Sequence, residues 1–188
     1  AGIRRTGATL APEAGSQRLR DVINKGVTEE ALIHHVRQLV GYGWQQVKLY
    51  FMIGLPTETY EDLDAIVELC KKVRDCCRIP NEKGYIEGPR IAVTAALSPF
   101  VPKTHTPFQW EAQISLEEMK NRIFYLRDQF KKQKALVMRW HEPAMSHLEG
   151  IISRGDRRLA PFIECAYKKG AIFSTWVEGF SLEPWYEA

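Results

Sequence analysis

Apolar residues recur along this chain in two patterns that alternate, one typical of β-strands and the other of amphipathic α-helices. Short apolar runs predict strands just before Glu13, at residues 47–53 and at residues 91–97. Apolar residues three and four apart predict helices from Ser16 through Val22, from Thr28 to about Val40, from Tyr60 to near Cys77, from Ser115 to about Arg139, at 143–152 and at 159–169. Strands that alternate with helices indicate a parallel sheet with right-handed crossovers.

Capping residues sharpen several of these helix boundaries. Thr28 and Thr59 are suited to N-caps, and Thr59 has Asp62 three residues on. Ser115 opens a capping box, and the apolar spacing after it predicts one long helix that runs past Val137. Gly and Pro make residues 79–89 a loop.

Three such strand–helix units and a helical tail amount to about half of an eight-unit barrel, which typically needs about 250 residues. We therefore predict an α/β fold, a partial TIM-like (βα) barrel with parallel strands followed by C-terminal helices. The predicted division is 1–112 for the half barrel and 113–188 for a helical extension. A half barrel exposes two sheet edges, so we expect a segment of a longer protein that forms a homodimer or a closed rearrangement when isolated.

Composition narrows the class of protein. With 188 residues, 45% of them hydrophobic, the chain can bury a core of ordinary size. It has neither a run of about 20 apolar residues nor a visible signal peptide, so we expect a cytoplasmic protein without a membrane partner. A net charge of +3 with dispersed basic residues gives little support to nucleic-acid binding. Four cysteines, three of them on or beside one predicted helix, fit a reducing compartment.

Candidate chemistry lies in two turns that each join a strand to a helix. The first turn contains Glu13 and Ser16, and the second runs from Gly54 through Leu, Pro and Thr to Glu58. The carboxyl ends of parallel strands share one edge of a sheet, where α/β proteins bind their ligands. Glu13 and Glu58 are therefore expected at the same end of the sheet.

These turns, at residues 9–19 and 51–59, together with residues 24–30, resemble the second half of the radical S-adenosylmethionine (radical SAM) barrel, most closely its cobalamin-binding subgroup. The resemblance implies an oxidoreductase or transferase that holds SAM on a [4Fe–4S] cluster and forms a 5′-deoxyadenosyl radical. The Cys-x-x-x-Cys-x-x-Cys loop for the cluster would precede residue 1. The chain alone is then inactive, its partner is the upstream half of the same barrel, and cobalamin is a candidate cofactor of the parent protein.

The resemblance also implies which residues hold SAM. Glu13 and Ser16 match the turn after the fourth barrel strand, although Ala14 stands where a Ser is usual, and Lys25 matches a basic residue near the SAM carboxylate. The adenine contacts match Tyr50, Met52, Ile53 and Gly54 on the fifth strand and Leu97 and Ser98 at the end of the sixth. Helix capping by Ser16, a solvated charge for Lys25 and ordinary core packing for the strand residues are the simpler alternatives. Glu58 is expected to orient its own turn rather than to catalyse.

No metal ligands are expected within the chain. His147 and Glu149 are two residues apart, which places them on different faces of a helix and argues against a site with His141. His105, in an aromatic loop at 100–110, is a candidate for acting on a substrate or approaching a cobalamin.

Two other functions stay open at this point. Glu13 and Glu58 would form a carboxylate pair for acid–base chemistry in a different α/β barrel, which predicts a raised carboxyl pKa. In a binding module, the loop at 100–110 and the basic stretch 131–139 would dock RNA or a partner domain.

Overall fold

The main sheet has four strands, each ending near residues that the sequence singles out. A computed structural model describes residues 7–84, 86–172 and 177–188. The strands are β1 (Ala8–Glu13), β2 (Gln46–Ile53), β5 (Ala92–Pro99) and β6 (Leu136–Trp140), in the order β1-β2-β5-β6. The sheet is parallel, and a short antiparallel hairpin joins β3 (Ile79–Pro80) to β4 (Ile86–Glu87) within the predicted loop.

Helices follow the strands, and each of the first six begins near the start that the sequence predicts. They are α1 (Gln17–Val22), α2 (Glu29–Gly41), α3 (Tyr60–Asp75), α4 (Leu116–Phe130), α5 (Pro143–Arg154), α6 (Ala160–Lys168) and α7 (Glu183–Tyr186), with 3₁₀ turns at Arg157–Leu159 and Val177–Gly179. The cap at Thr28 is confirmed, since its hydroxyl accepts the Ala31 N–H at 3.1 Å. The Thr59 N–H donates to Asp62 at 2.8 Å, as the capping pattern predicts.

The strand order explains why the sheet has one buried face. Each new strand of the main sheet is added on the same side of the one before it, so right-handed crossovers bring the helices to a single face. Along β2 the side chains of Val47, Leu49, Phe51 and Ile53 are buried, while Gln46 and Tyr50 are exposed. The α/β class with parallel strands followed by helices is confirmed, and winding in one direction is the pattern of a partial βα barrel.

The prediction of one long helix from Ser115 to Arg139 is wrong. Helix α4 ends at Phe130, a turn follows, and Ala135 has φ +62°. Leu136 then pairs with Val93 to begin a fourth parallel strand. The error arises because Phe130 and Val137 are seven residues apart, which fits two helical turns, whereas the alternation of buried Leu136 with half-exposed Val137 fits a strand.

The chain divides into two compact units. The first combines the described residues up to Ser98 with Asn121–Trp140, and the second combines Pro99–Lys120 with His141–Ala188. This grouping differs from the predicted division at residue 112, because β6 returns to the sheet beside β5. The core of the first unit lies between the sheet and helices α2, α3 and α4.

Among the residues that the structure describes, none of the helices is long and apolar enough to cross a bilayer.

Candidate functional site at the carboxyl ends of the strands

Glu13 and Lys25, predicted separately, form an ion pair at the end of β1. The Lys25 Nζ lies 3.4 Å from Glu13 Oε1, and the two side chains are 34% and 26% exposed. Glu13 has φ +68°, a left-handed conformation that is unfavourable for a residue with a side chain. The pair thus places one positive and one negative group at the carboxyl end of β1, in partial contact with solvent.

Ser16 caps helix α1, as the simpler alternative expects. Its hydroxyl accepts the Leu19 N–H at 3.1 Å and donates to Asp62 Oδ1 at 2.5 Å. Because its one proton goes to Asp62, the hydroxyl has none left to donate to a ligand. Its predicted contact with SAM stays a prediction, and it is limited to accepting a hydrogen bond or to the backbone.

Asp62 ties the two predicted turns together. Besides Ser16, its carboxylate accepts hydrogen bonds from Arg18 and from the Thr59 N–H. Burial alone would raise the pKa of Asp62, but these hydrogen bonds outweigh it and hold the pKa below its ordinary value. Arg18 also donates to the Thr57 carbonyl at 2.9 Å, so the turn after β1 is fastened to the turn after β2.

A buried arginine completes the first turn. Arg20 is 1% exposed, and its guanidinium donates to the carbonyl oxygens of Ala14 and Gly15 at 3.0 and 2.9 Å. Ala14 is itself buried in the core, so its side chain contributes packing. Gly15 lies so close to helix α3 that an added Cβ would stand 2.3 Å from the Ile66 nitrogen.

Glu58 holds the second turn in shape, as predicted. Gly54 has φ +77°, a conformation that glycine adopts readily, and its N–H donates to Glu58 Oε2 at 2.7 Å. The Glu58 side chain is 1% exposed and forms an ion pair with Arg122 of helix α4. Burial raises the pKa of Glu58, while the Gly54 N–H and Arg122 oppose that rise.

The predicted adenine residues divide between the two faces of the sheet. Ile53 and Leu97 are 0% and 2% exposed and lie in the core, so their side chains cannot contact a ligand on the other face. Tyr50, Met52 and Ser98 alternate with these buried residues and lie on the opposite face. That face therefore offers an aromatic ring, a thioether and a hydroxyl near the carboxyl ends of β2 and β5.

Sequence reasoning missed three residues of this region. Lys48 is two residues before Tyr50, and its ammonium lies 4.6 Å from the centre of that ring, so period-two counting would have found it. Arg122 falls three residues after Met119 and four before Leu126, on the apolar stripe of α4, where a charged residue signals a buried partner. Arg20 carries no comparable signal.

Cys70 is an ordinary core residue, and Cys76 and Cys77 form a partly buried pair that packs against the core. Cys70 is fully buried, and burial raises the pKa of its thiol. The sulfur atoms of Cys76 and Cys77 are 3.8 Å apart, and burial raises the pKa of Cys76 to about 12, so its reactive thiolate is scarce at neutral pH. Within the described parts of the chain, no three His, Cys, Asp or Glu side chains are grouped to hold a metal ion.

The carboxylates of the first alternative each have a cationic partner, and the basic stretch of the second is not a helix. Glu58 has the raised pKa that a catalytic carboxylate pair predicts, but its carboxylate is buried against Arg122 while Glu13 pairs with Lys25. The basic stretch 131–139 is a turn followed by strand β6 and so does not form one basic helix. His105 lies on an exposed turn of the second unit with φ +61°.

Fold and site together define an α/β protein whose polar and ionic groups gather at the carboxyl ends of parallel strands. No family model matches the chain. It is similar to an uncharacterized protein of Methanocaldococcus jannaschii, with 32% identity over 166 residues that cover 88% of this chain. The matched region is 34% of that relative, so the chain spans about a third of the relative's length.

Proposed function

We propose that this chain is the carboxyl-terminal half of a radical SAM domain and supplies contacts to the ribose, carboxylate and adenine of SAM. The upstream half of the same barrel would carry the [4Fe–4S] cluster, without which this chain is inactive. When bound, SAM and the cluster supply a 5′-deoxyadenosyl radical for hydrogen abstraction. Cobalamin is a further candidate cofactor of the parent protein, which we place in the cytoplasm.

The observation that carries this proposal is the gathering of suitable groups at one end of the sheet. Glu13 ends β1, Met52 is the second-last residue of β2, and Ser98 is the second-last residue of β5. Since parallel strands end at the same edge, these residues approach one region of space. The resemblance assigns that region to SAM.

The chemistry of the groups suits the parts of SAM. Lys25 offers a cation to the SAM carboxylate, and Glu13 offers acceptor oxygens to ribose hydroxyls. Tyr50 and Met52 offer an aromatic face and a polarizable thioether to adenine. The turns are held in position by hydrogen bonds to three supporting residues, Asp62, Glu58 and Arg20. We assign these residues no contact with SAM.

The single winding direction of the sheet supports an upstream partner. A four-stranded sheet wound this way has two edges, and the upstream half of a barrel would pair with both of them. The relative is about three times as long as the matched region, which leaves room for such a half. The isolated chain would cover its edges as a homodimer.

SAM binding by the parent protein tests the proposal through a matched pair of substitutions. Met52→Glu places a carboxylate at the carboxyl end of β2, and Gln46→Glu places the same group at its amino end on the same face. By equilibrium dialysis with radiolabelled SAM, we expect Met52→Glu to weaken binding at least about tenfold, the factor given by about 1.4 kcal/mol. Gln46→Glu should leave the affinity within about twofold, because Gln46 lies at the amino end of the strand, away from the proposed site.

Thermal unfolding of both variants separates lost binding from lost folding. Equal SAM affinities for the two variants, with unfolding temperatures near that of the natural protein, would contradict the proposed site.

A further inference from the structure

The second unit has a cavity of about 490 Å³, partly open to solvent, that the proposed function does not use. One face of helix α5 supplies Met145, Leu148, Glu149, Ile152 and Ser153. His141, Phe180 and Trp185 complete the described walls. This volume lies within the usual range of small-molecule pockets, about 300–1,000 Å³.

Hydrogen bonds and ring contacts hold the walls in place. The Gln113 amide nitrogen donates to the Ser146 carbonyl at 2.9 Å, and Gly150 has no side chain where this amide packs. His141 Nδ1 lies 3.0 Å from the buried Ser146 hydroxyl. The Phe162 ring packs against Trp185 with centres 5.4 Å apart. Several independent contacts within the second unit therefore fix the positions of the cavity walls.

The walls are mainly apolar, with two polar groups that lack partners. Met145, Leu148, Ile152 and Phe180 provide hydrocarbon, thioether and aromatic surface. The Trp185 indole N–H and the Ser153 hydroxyl are both buried and have no hydrogen-bond partner in the described parts of the chain. A buried polar group without a partner is costly, so an acceptor atom of a ligand would be favourable once these side chains rotate and expose the two donors to the cavity.

The charge around the cavity is close to balanced. Glu149 is the charged carboxylate among the described wall residues, and Lys103 lies 2.5 Å from it. Because this cation already neutralises the carboxylate, the cavity favours neither an anion nor a cation.

We propose that this cavity binds an uncharged, largely apolar small molecule that carries a hydrogen-bond-accepting oxygen, such as an aryl or alkyl ketone. The apolar body packs against the α5 face and Phe180, and the oxygen accepts from Trp185 or Ser153 after a small rotation of those side chains. This site is independent of the SAM contacts proposed for the first unit.

Two probes of nearly equal shape test the proposal on the full chain. 2-Acetonaphthone carries a carbonyl acceptor, and 2-ethylnaphthalene carries a methylene in its place. By ligand-observed NMR, we expect the ketone to bind about fivefold more tightly, as one added neutral hydrogen bond allows. Trp185→Phe with Ser153→Ala keeps an aromatic ring at position 185 and removes both donors, and it should abolish the preference for the ketone.

A filling substitution locates the binding. Met145→Trp puts a large ring into the cavity and should abolish binding of both probes, whereas Ile151→Trp, on an exposed position of the same helix, should leave it unchanged. Binding that survives Met145→Trp, equal affinity for the two probes, or no binding of either would overturn the proposal. So would a dimer that Met145→Trp disperses in light scattering, since a second copy would then occupy the cavity.

Discussion

Replacing Arg122 by Met is expected to destabilise the protein by about 3–5 kcal/mol at pH 7, the usual cost of leaving one charge of a buried pair alone. The Glu58 carboxylate is 1% exposed and Arg122 is 13% exposed, so water cannot solvate the carboxylate once the guanidinium is gone. Urea unfolding followed by circular dichroism measures the loss. Lys71→Met removes the cation of the exposed Lys71–Glu68 pair and should cost less than about 1 kcal/mol.

The stability of the Arg122→Met variant should depend on pH in a characteristic way. Burial raises the pKa of Glu58 above its ordinary value of 4.5, and loss of Arg122 raises that pKa further. The folded variant then binds the proton more tightly than the unfolded chain, so its stability falls as pH rises from about 4.5 through the folded-state pKa. The deficit relative to the natural protein should be larger at pH 7 than near pH 4.

A double variant isolates the cause. Arg122→Met with Glu58→Gln leaves an acceptor for the Gly54 N–H but no charge to bury, and it should be more stable at pH 7 than Arg122→Met alone. If Arg122→Met costs no more than Lys71→Met, or if its deficit is independent of pH, the buried pair does not hold this turn.

Gly15→Ala is expected to cost about 3 kcal/mol, the upper end of the usual range for overpacking. An added Cβ would lie 2.3 Å from the Ile66 nitrogen and 2.8 Å from the Asp62 carbonyl oxygen. Both atoms belong to the backbone of helix α3, which cannot yield as a side-chain tip can. The helix or the turn that carries Glu13 must therefore move.

Gly41→Ala is the matched control for this substitution. Gly41 ends helix α2, and nothing lies within 4 Å of the position its Cβ would take. Because alanine favours helix and restricts the unfolded chain, we expect a change between zero and about 1 kcal/mol of stabilisation. Unfolding free energies of the two variants that agree within error would contradict the close approach at Gly15.

Much of the fold follows from local patterns that act over one turn or one strand. Thr28 and Thr59 fix helix starts by hydrogen bonds a few residues away, and the period of β2 separates its buried and exposed residues. β6 was missed because its five residues follow a helix whose spacing continues into Val137. Pairing with β5 decides that segment, and such long-range pairing leaves no local signature.

The candidate site could be predicted only in part, again because local patterns do not show long-range contacts. Motif positions identified Glu13 and Lys25, and the structure brings them together. Ile53 and Leu97 match the motif as well, but alternation along the strands turns their side chains into the core. The ties that hold the site, from Asp62 to Ser16 and from Arg122 to Glu58, join residues 46 and 64 positions apart. Their pairing depends on the packing of α3 and α4.

These ties divide the region into supporting and ligand-facing residues. Asp62, Glu58 and Arg20 hold the turns from the core side. Glu13, Lys25, Tyr50, Met52 and Ser98 are at least partly accessible at the carboxyl ends of the strands. Substitutions in the first group should change stability, and substitutions in the second should change SAM affinity with little effect on stability.

The most direct test of the proposed function is the formation of 5′-deoxyadenosine from SAM by the parent protein, prepared without oxygen, supplied with iron, sulfide and a reductant, and followed by mass spectrometry. We predict that the natural protein forms 5′-deoxyadenosine and that Lys25→Met lowers its yield. A parent protein that takes up no iron–sulfur cluster and forms no 5′-deoxyadenosine would contradict the assignment of this chain to a radical SAM domain.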